Sequence, residues 1–317
     1  MRKFERYTKF VYGDAAPEVL GYTLDEVRSG AQEDLTSDND QIKAAAQRLI
    51  DVLPQMESNP DFKPQMPEKP LVERVKQESQ RVLSSLSKKE MPAAATDEID
   101  AQGIYDLFTE ALKNLNAEGW KVIIDTSSKA GISVDQEHQT VRIPQTRKVT
   151  VEKLQGLLVH EIGTHVARRA KGERSKLMLL GLGLDRYEQG EEGVTTMREQ
   201  SLSKKGPENF AGLELHMAIG LARGIDGKRR DFHDVYEVLL RHHQLKGLKE
   251  KKDPEEAKKS AWNQSVRVFR GTDCKTPGAA FTKDIIYREG NIAVWDAIGK
   301  KPDELVRLNV GKYDPSN

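Results

Sequence analysis

The sequence predicts an α+β protein, mainly helical, with one small β-sheet packed on a long helix. Three observations lead there. Most of the 317 residues fall in segments whose apolar positions recur at the helical period. The short runs rich in β-branched residues are confined to one stretch, between Lys121 and Ile143. The pattern then changes sharply at Thr150, where a polar start opens onto a long amphipathic stripe.

In chain order, residues 1 to 68 look peripheral, an extension or arm to a main domain over residues 69–317. Within them Thr36–Leu53 has helical periodicity. The stretch NPDFKPQMPEKP carries four prolines in twelve residues, a composition that suits a linker or extended arm. Pro70–Ser87 predicts a charged amphipathic helix with Leu71, Val75, Val82 and Leu86 on one stripe, and KKEMPAAATDE a loop. Asp100–Leu115 predicts a helix ending near Asn116. KVIID, Lys121–Asp125, reads as a strand. Ile132–Asp135 and Thr140–Ile143 flank the polar QEHQ and predict a hairpin. QTVRIP would be an exposed sheet edge, open to pairing with an extended peptide. Thr150–Arg169 predicts the long helix, with Leu154, Leu157, Leu158 and Ile162 on its buried stripe. Further helices are expected over Ser175–Leu182, Glu191–Ser203, Ala211–Arg223, Asp231–His243, Ala257–Phe269 and Asn291–Ile298, with a charged connection after His243.

Bulk composition narrows the function classes. Lys+Arg and Asp+Glu are equal at 50 each, which gives no global attraction to nucleic acid or anionic membrane. No apolar run approaches the roughly 18 residues of a membrane span. The N-terminus lacks the apolar stretch of a signal peptide, and one cysteine, Cys274, cannot close an internal disulfide. A soluble cytoplasmic protein is the expectation. There is no internal repeat and no Gly-rich phosphate loop.

The chemistry is concentrated in VHEIGTHVARR, on the long helix. His160 and His165 are of a common zinc-ligand type, and Glu161 is suitably placed as a general base. In the familiar H-E-x-x-H motif the histidines are four residues apart; here they are five. Five α-helical steps leave the two side chains about 140° apart. One wider π-type turn would return them to a common face, with Gly163 tolerating the distortion. The spacing therefore predicts a π-bulge. A hydrolytic zinc needs a third protein ligand. GEEGVTTMREQ, at the start of a predicted helix, supplies two candidates, Glu192 and its neighbour Glu191.

HEIGTH, followed by EEG, RVFRGTD and FTKDIIYREGN, resembles the tyrosine carboxypeptidase-like metallopeptidases, which include the bacterial QEGLA-motif proteins. The resemblance spans roughly Asp100 to Asn291. It implies a zincin-like metallopeptidase with Zn2+ held by His160, His165 and a glutamate of the QEGLA motif. That motif reads EEGVT here, so its glutamate corresponds to Glu192. The motif's Gln, Leu and Ala are replaced by Glu191, Val194 and Thr195. The resemblance further implies Glu161 as the catalytic base and a peptide or protein C-terminus as substrate, losing Tyr or Phe. The terminal carboxylate of such a substrate calls for a cation. Arg270 and Lys283 in the two tail motifs are the candidates, and Tyr287 is the candidate oxyanion donor. The competing classes are a zinc hydrolase of a small amide and a binding protein on a retired peptidase scaffold; an intact Glu161 speaks against the second.

The remaining tempting residues have structural readings. His242 and His243 would cap a helix C-terminus. His216 would be a core residue, His233 a surface one and Cys274 a free thiol. The basic runs near Gly227–Phe232 and LKGLKEKK would be solvated faces.

Overall fold

The computed structural model describes residues 2–87, 98–127 and 131–317. The loop expected over KKEMPAAATDE lies outside the described residues, apart from Glu98. The chain forms two compact units, Met1–Pro64 with Ala211–Glu289, and Gln65–Phe210 with Gly290–Asn317. The architecture is α+β and mainly helical, as expected.

The second unit carries the strands. β1 (Glu98–Ile99) and β5 (Val149–Thr150) form a two-stranded antiparallel sheet; β2 (Lys121–Asp125), β3 (Ser133–Asp135) and β4 (Thr140–Pro144) form a three-stranded one. β3 and β4 are the expected hairpin, with Val134 opposite Val141. β4 also pairs in parallel with β2, Ile123 opposite Arg142. The strand order is therefore β2-β4-β3, and QTVRIP is central rather than an edge. Both sides of β4 are already hydrogen-bonded, so strand addition by a peptide is excluded there. Val141 and Ile143 are fully buried and join one core with Phe108, Leu154, Leu158, Ile162 and Leu86. Through these residues the sheet packs on the motif helix. At about 25 cal/mol per Å² of apolar surface, each such side chain stabilises the unit by roughly 1.5–3 kcal/mol.

Side-chain caps set several helix starts. Asp100 accepts from Gly103 N and opens the helix Ala101–Asn114. Thr150 accepts from Lys153 N and opens the motif helix at Val151. Each satisfies one of the backbone donors that a helix N-terminus leaves unpaired. The helix Lys69–Leu86 matches its expectation closely, with Val75 and Leu86 fully buried and Leu71 and Val82 half-buried.

The first unit holds the largest departures. Residues 1–64 contain two helices that the periodicity did not reveal, Arg2–Tyr12 and Pro17–Asp34, besides Asp40–Val52. Leu20, Leu24, Ala46 and Leu49 from this stretch are fully buried with Met217, Ile219, Val235 and Leu239. The stretch is thus part of a core. The helix beginning at Phe232 runs on to Glu250, through the expected charged connection. His242 and His243 consequently sit mid-helix, not at its C-terminal cap. His243 Nε2 meets Gln264 Oε1 at 2.9 Å, and His242 Nε2 lies 3.7 Å from Glu214. His216 is fully buried against Glu289, 2.9 Å away, His233 is exposed, and Cys274 is an exposed free thiol.

Candidate metal centre

The motif helix is α-helical over Val151–Leu157, a π-helix over Leu158–Val166, and α-helical again over Ala167–Arg174. This is the wide turn that the five-residue histidine spacing demands. A π-turn disturbs the regular hydrogen-bond ladder, and side chains supply part of the satisfaction. Thr164 Oγ1 donates to Val159 O at 2.9 Å. Arg198 Nη1 donates to Gly163 O at 3.3 Å and to Thr164 Oγ1 at 2.8 Å. Arg198 is fully buried and held by Glu78 at 2.6 and 3.1 Å. Gly163 has a different role from the one expected. A Cβ there would stand 2.7 Å from Val82 Cγ1 and 3.1 Å from Leu86 Cδ1, so the glycine lets the helix Lys69–Leu86 approach.

With the π-turn in place, the imidazoles of His160 and His165 lie with ring centroids 5.0 Å apart. One ligand atom each of His160, Glu161 and His165 falls within 4.8 Å of the others. Glu192, on the helix Tyr187–Leu202, places Oε2 3.8 Å from His160 Nε2 and 3.9 Å from His165 Nε2. A tetrahedral ion with ligands at about 2.0–2.1 Å separates its ligand atoms by roughly 3.4 Å. The two distances from Glu192 Oε2 are slightly wider than that, and a small side-chain adjustment would close them.

The opposite ring nitrogens face carboxylates. His165 Nδ1 lies 2.8 Å from Glu191 Oε1, and His160 Nδ1 lies 3.1 Å from Glu199 Oε1. A carboxylate only accepts when ionised, so His165 Nδ1 carries the proton it shares with Glu191; the Nε2 atoms of both histidines are directed at Glu192. This arrangement separates the two adjacent acids of EEG. Glu191 is taken up by His165, by Lys312 Nζ at 3.0 Å and by Arg168 Nη1 at 3.6 Å, whereas Glu192 faces the histidine pair. Glu192 is further held by Thr195, whose hydroxyl donates to Glu192 Oε2 at 3.3 Å. Gly193 packs so tightly on Gly290 that a Cβ would collide with the Gly290 carbonyl oxygen.

The electrostatics follow from burial and from this crowd of acids. Burial opposes the charged form of His160, but Glu161, Glu199 and Glu192 prevail and raise its pKa to about 10 in the metal-free protein. Burial holds the Glu161 carboxyl above the ordinary range, against His160 and His165, which lower it. Burial also opposes ionisation of Glu191, yet His165, Lys312 and Arg168 bring its pKa down to about 2.

The other expected site residues lie in the first unit, around Asp284. Arg270 Nη1 is 3.1 Å from Asp284 Oδ2, and its guanidinium lies over the Phe281 ring. Arg267 binds the same carboxylate at 2.7 and 2.8 Å, and its guanidinium lies 5.5 Å from the centroid of the Tyr287 ring. Two arginines share one acid, so the cluster keeps a positive charge. Lys283 is half-buried in the 3-10 turn Thr282–Asp284.

Sequence reasoning missed Glu199, Arg168, Arg198 and Lys312. Glu199 was within reach: it stands seven residues after Glu192, two helical turns along the same face. The other three depend on segments distant in sequence and leave no local signal.

Two largely buried histidines, an acid facing them and a carboxylate near each ring are a donor set of the kind that could hold a metal ion. The family model of the microtubule-associated tyrosine carboxypeptidases matches residues 63–317, and the chain belongs to that family. No curated protein matches the sequence. Among the described residues no helix is long and apolar enough to cross a membrane.

Proposed function

We propose that this protein is a zinc-dependent carboxypeptidase that removes a C-terminal residue, of aromatic type, from a peptide or protein. The observation that carries the reading is the convergence of His160 Nε2, His165 Nε2 and Glu192 Oε2, with both Nδ1 atoms turned to carboxylates. Two neutral imidazoles and one carboxylate are a known donor set of catalytic zinc, and second carboxylates on the histidines are its usual support. His160, His165 and Glu192 would hold the ion; bound there, zinc supplies Lewis acidity and lowers the pKa of a water ligand towards about 7.

Glu161 is the general base. It stands beside the ligand atoms in a water-poor setting, takes the proton of the attacking water and returns it to the leaving amine. Arg270 and Lys283 are assigned to the substrate's terminal carboxylate and Tyr287 to the oxyanion, on the strength of the RVFRGTD and FTKDIIYREGN motifs. The family's description supports tyrosine as the residue released. The lone cysteine suits a reducing compartment such as the cytoplasm.

Metal content by elemental mass spectrometry, for the wild type and for Glu192→Ala, tests the centre, alongside release of Tyr or Phe from short peptides. One zinc per chain, lost in the variant, with release by the wild type, is the expected result. Zinc without release would return the substrate to a small amide. Absence of zinc under metal-replete conditions would sink the proposal and favour the binding scaffold. Arg270→Ala should raise KM for peptides with a free C-terminus and leave amidated peptides unaffected.

A further inference from the structure

The segment Gly311–Asp314 is bound to the back of the candidate metal centre. Lys312 N donates to Leu180 O at 2.7 Å, and Lys312 O accepts from Leu184 N at 3.0 Å. Arg168, fully buried, donates from Nε to Gly311 O at 2.8 Å and from Nη2 to Tyr313 O at 2.5 Å. A side chain at Gly311 would meet Leu180 Cβ at 2.5 Å, so the strap lies flush on the Leu179–Leu182 turn. These contacts direct the Lys312 ammonium inward. Its side chain is 1% exposed; it lies 4.6 Å from the Tyr187 ring centroid and 3.0 Å from Glu191 Oε1. That same oxygen is the one 2.8 Å from His165 Nδ1.

We infer that Lys312 is a positioning residue of the metal centre, acting through Glu191 to fix His165 with its Nδ1 proton donated away from the ion and Nε2 presented to it. The inference rests on the zinc reading. A buried ammonium has few partners able to compensate it, and here the Glu191 carboxylate accepts from it and from His165 at one oxygen. Arg168 faces the other oxygen at 3.6 Å. Two cations therefore face one acid, one at each carboxylate oxygen. The glutamine of the QEGLA motif could accept from His165 but could not neutralise Lys312. The acid at position 191 and the lysine at 312 belong together, which predicts that their effects are coupled.

The test uses the full chain. Zinc affinity is measured by competition with a chromophoric chelator for the wild type, Lys312→Met, Lys312→Arg, Glu191→Gln and the Lys312→Met/Glu191→Gln double variant. Thermal unfolding checks folding, and NMR follows solvent exchange of the His165 Nδ1 proton in the metal-free protein. Outer carboxylates and their partners typically contribute about 10–100-fold to metal affinity. Lys312→Met and Glu191→Gln should each weaken zinc by that factor. Lys312→Arg should retain most of the affinity, and the double variant should be no worse than the poorer single. The Nδ1 proton should exchange slowly in the wild type and faster in both single variants. A folded Lys312→Met with affinity within twofold of wild type and unchanged exchange would overturn the inference. Should that variant fail to fold, Glu191→Gln decides alone, and wild-type affinity there overturns it. Wild-type protein that takes up no zinc sinks the metallopeptidase reading instead; the exchange measurement still tests the Lys312–Glu191–His165 contact.

Discussion

At the scale of single residues, chemistry and structure divide between neighbours. Glu161 and Glu192 face the histidine nitrogens, whereas Glu191 holds the His165 ring from behind and Glu199 lies 3.1 Å from His160 Nδ1. In the proposed mechanism Glu161 is a base and not a ligand, so Glu161→Gln should keep one zinc per chain while kcat falls by about 10²–10⁴-fold; steady-state kinetics with metal analysis checks this. Asp284 gives a prediction in pH. Its carboxyl is pulled below the ordinary value of 3.8: burial opposes this, and Arg267 and then Arg270 outweigh it. A depressed carboxyl contributes stability that is fully present above its unfolded pKa and is lost as pH falls through the folded one. The melting temperature should therefore drop on acidification below about 4, and Asp284→Asn should flatten that limb. At neutral pH the same variant should cost about 1–3 kcal/mol, since both arginines remain partly exposed.

At the scale of elements, the centre depends on helices that approach more closely than a Cβ allows. Gly163→Ala would press on the ends of Val82 and Leu86, side chains that can give way, at a cost of about 1–3 kcal/mol. Gly193→Ala would press on the Gly290 carbonyl, backbone that cannot, and should cost more or prevent folding. Denaturant unfolding of the two variants ranks them; an equal loss would contradict the packing argument. The π-turn itself was legible in the sequence, because a histidine pair at five-residue spacing can share a face only if the helix widens. Its support was not: Arg198 reaches Gly163 O and Thr164 from another helix, anchored by Glu78 of a third. What Gly163 provides is room for Val82 and Leu86 rather than backbone freedom.

At the scale of the whole molecule, the first unit is discontinuous in sequence. Residues 1–64 bury Leu20, Leu24 and Leu49 with Met217, Ile219 and Leu239 from beyond residue 210. Deleting residues 1–64 should therefore expose that core, with loss of a cooperative melting transition and gain of hydrophobic-dye binding. A shortened chain that still melts cooperatively would contradict the shared core and favour this stretch as a peripheral arm.

The sequence by itself indicated the class of fold, most helices, the strand KVIID and the hairpin, and it put forward His160, Glu161 and His165 as candidates, with Glu192 added by the family resemblance. Period, cap and motif are local, and local rules act through residues a few positions apart. The tertiary structure decided that β4 is central, that residues 1–64 share a core with residues past 210, and that Glu191 serves His165 together with Lys312. Each of these depends on segments far apart in the chain meeting in space. Strand order and buried charge pairing are set by which surfaces meet, and no local pattern in the sequence encodes that choice.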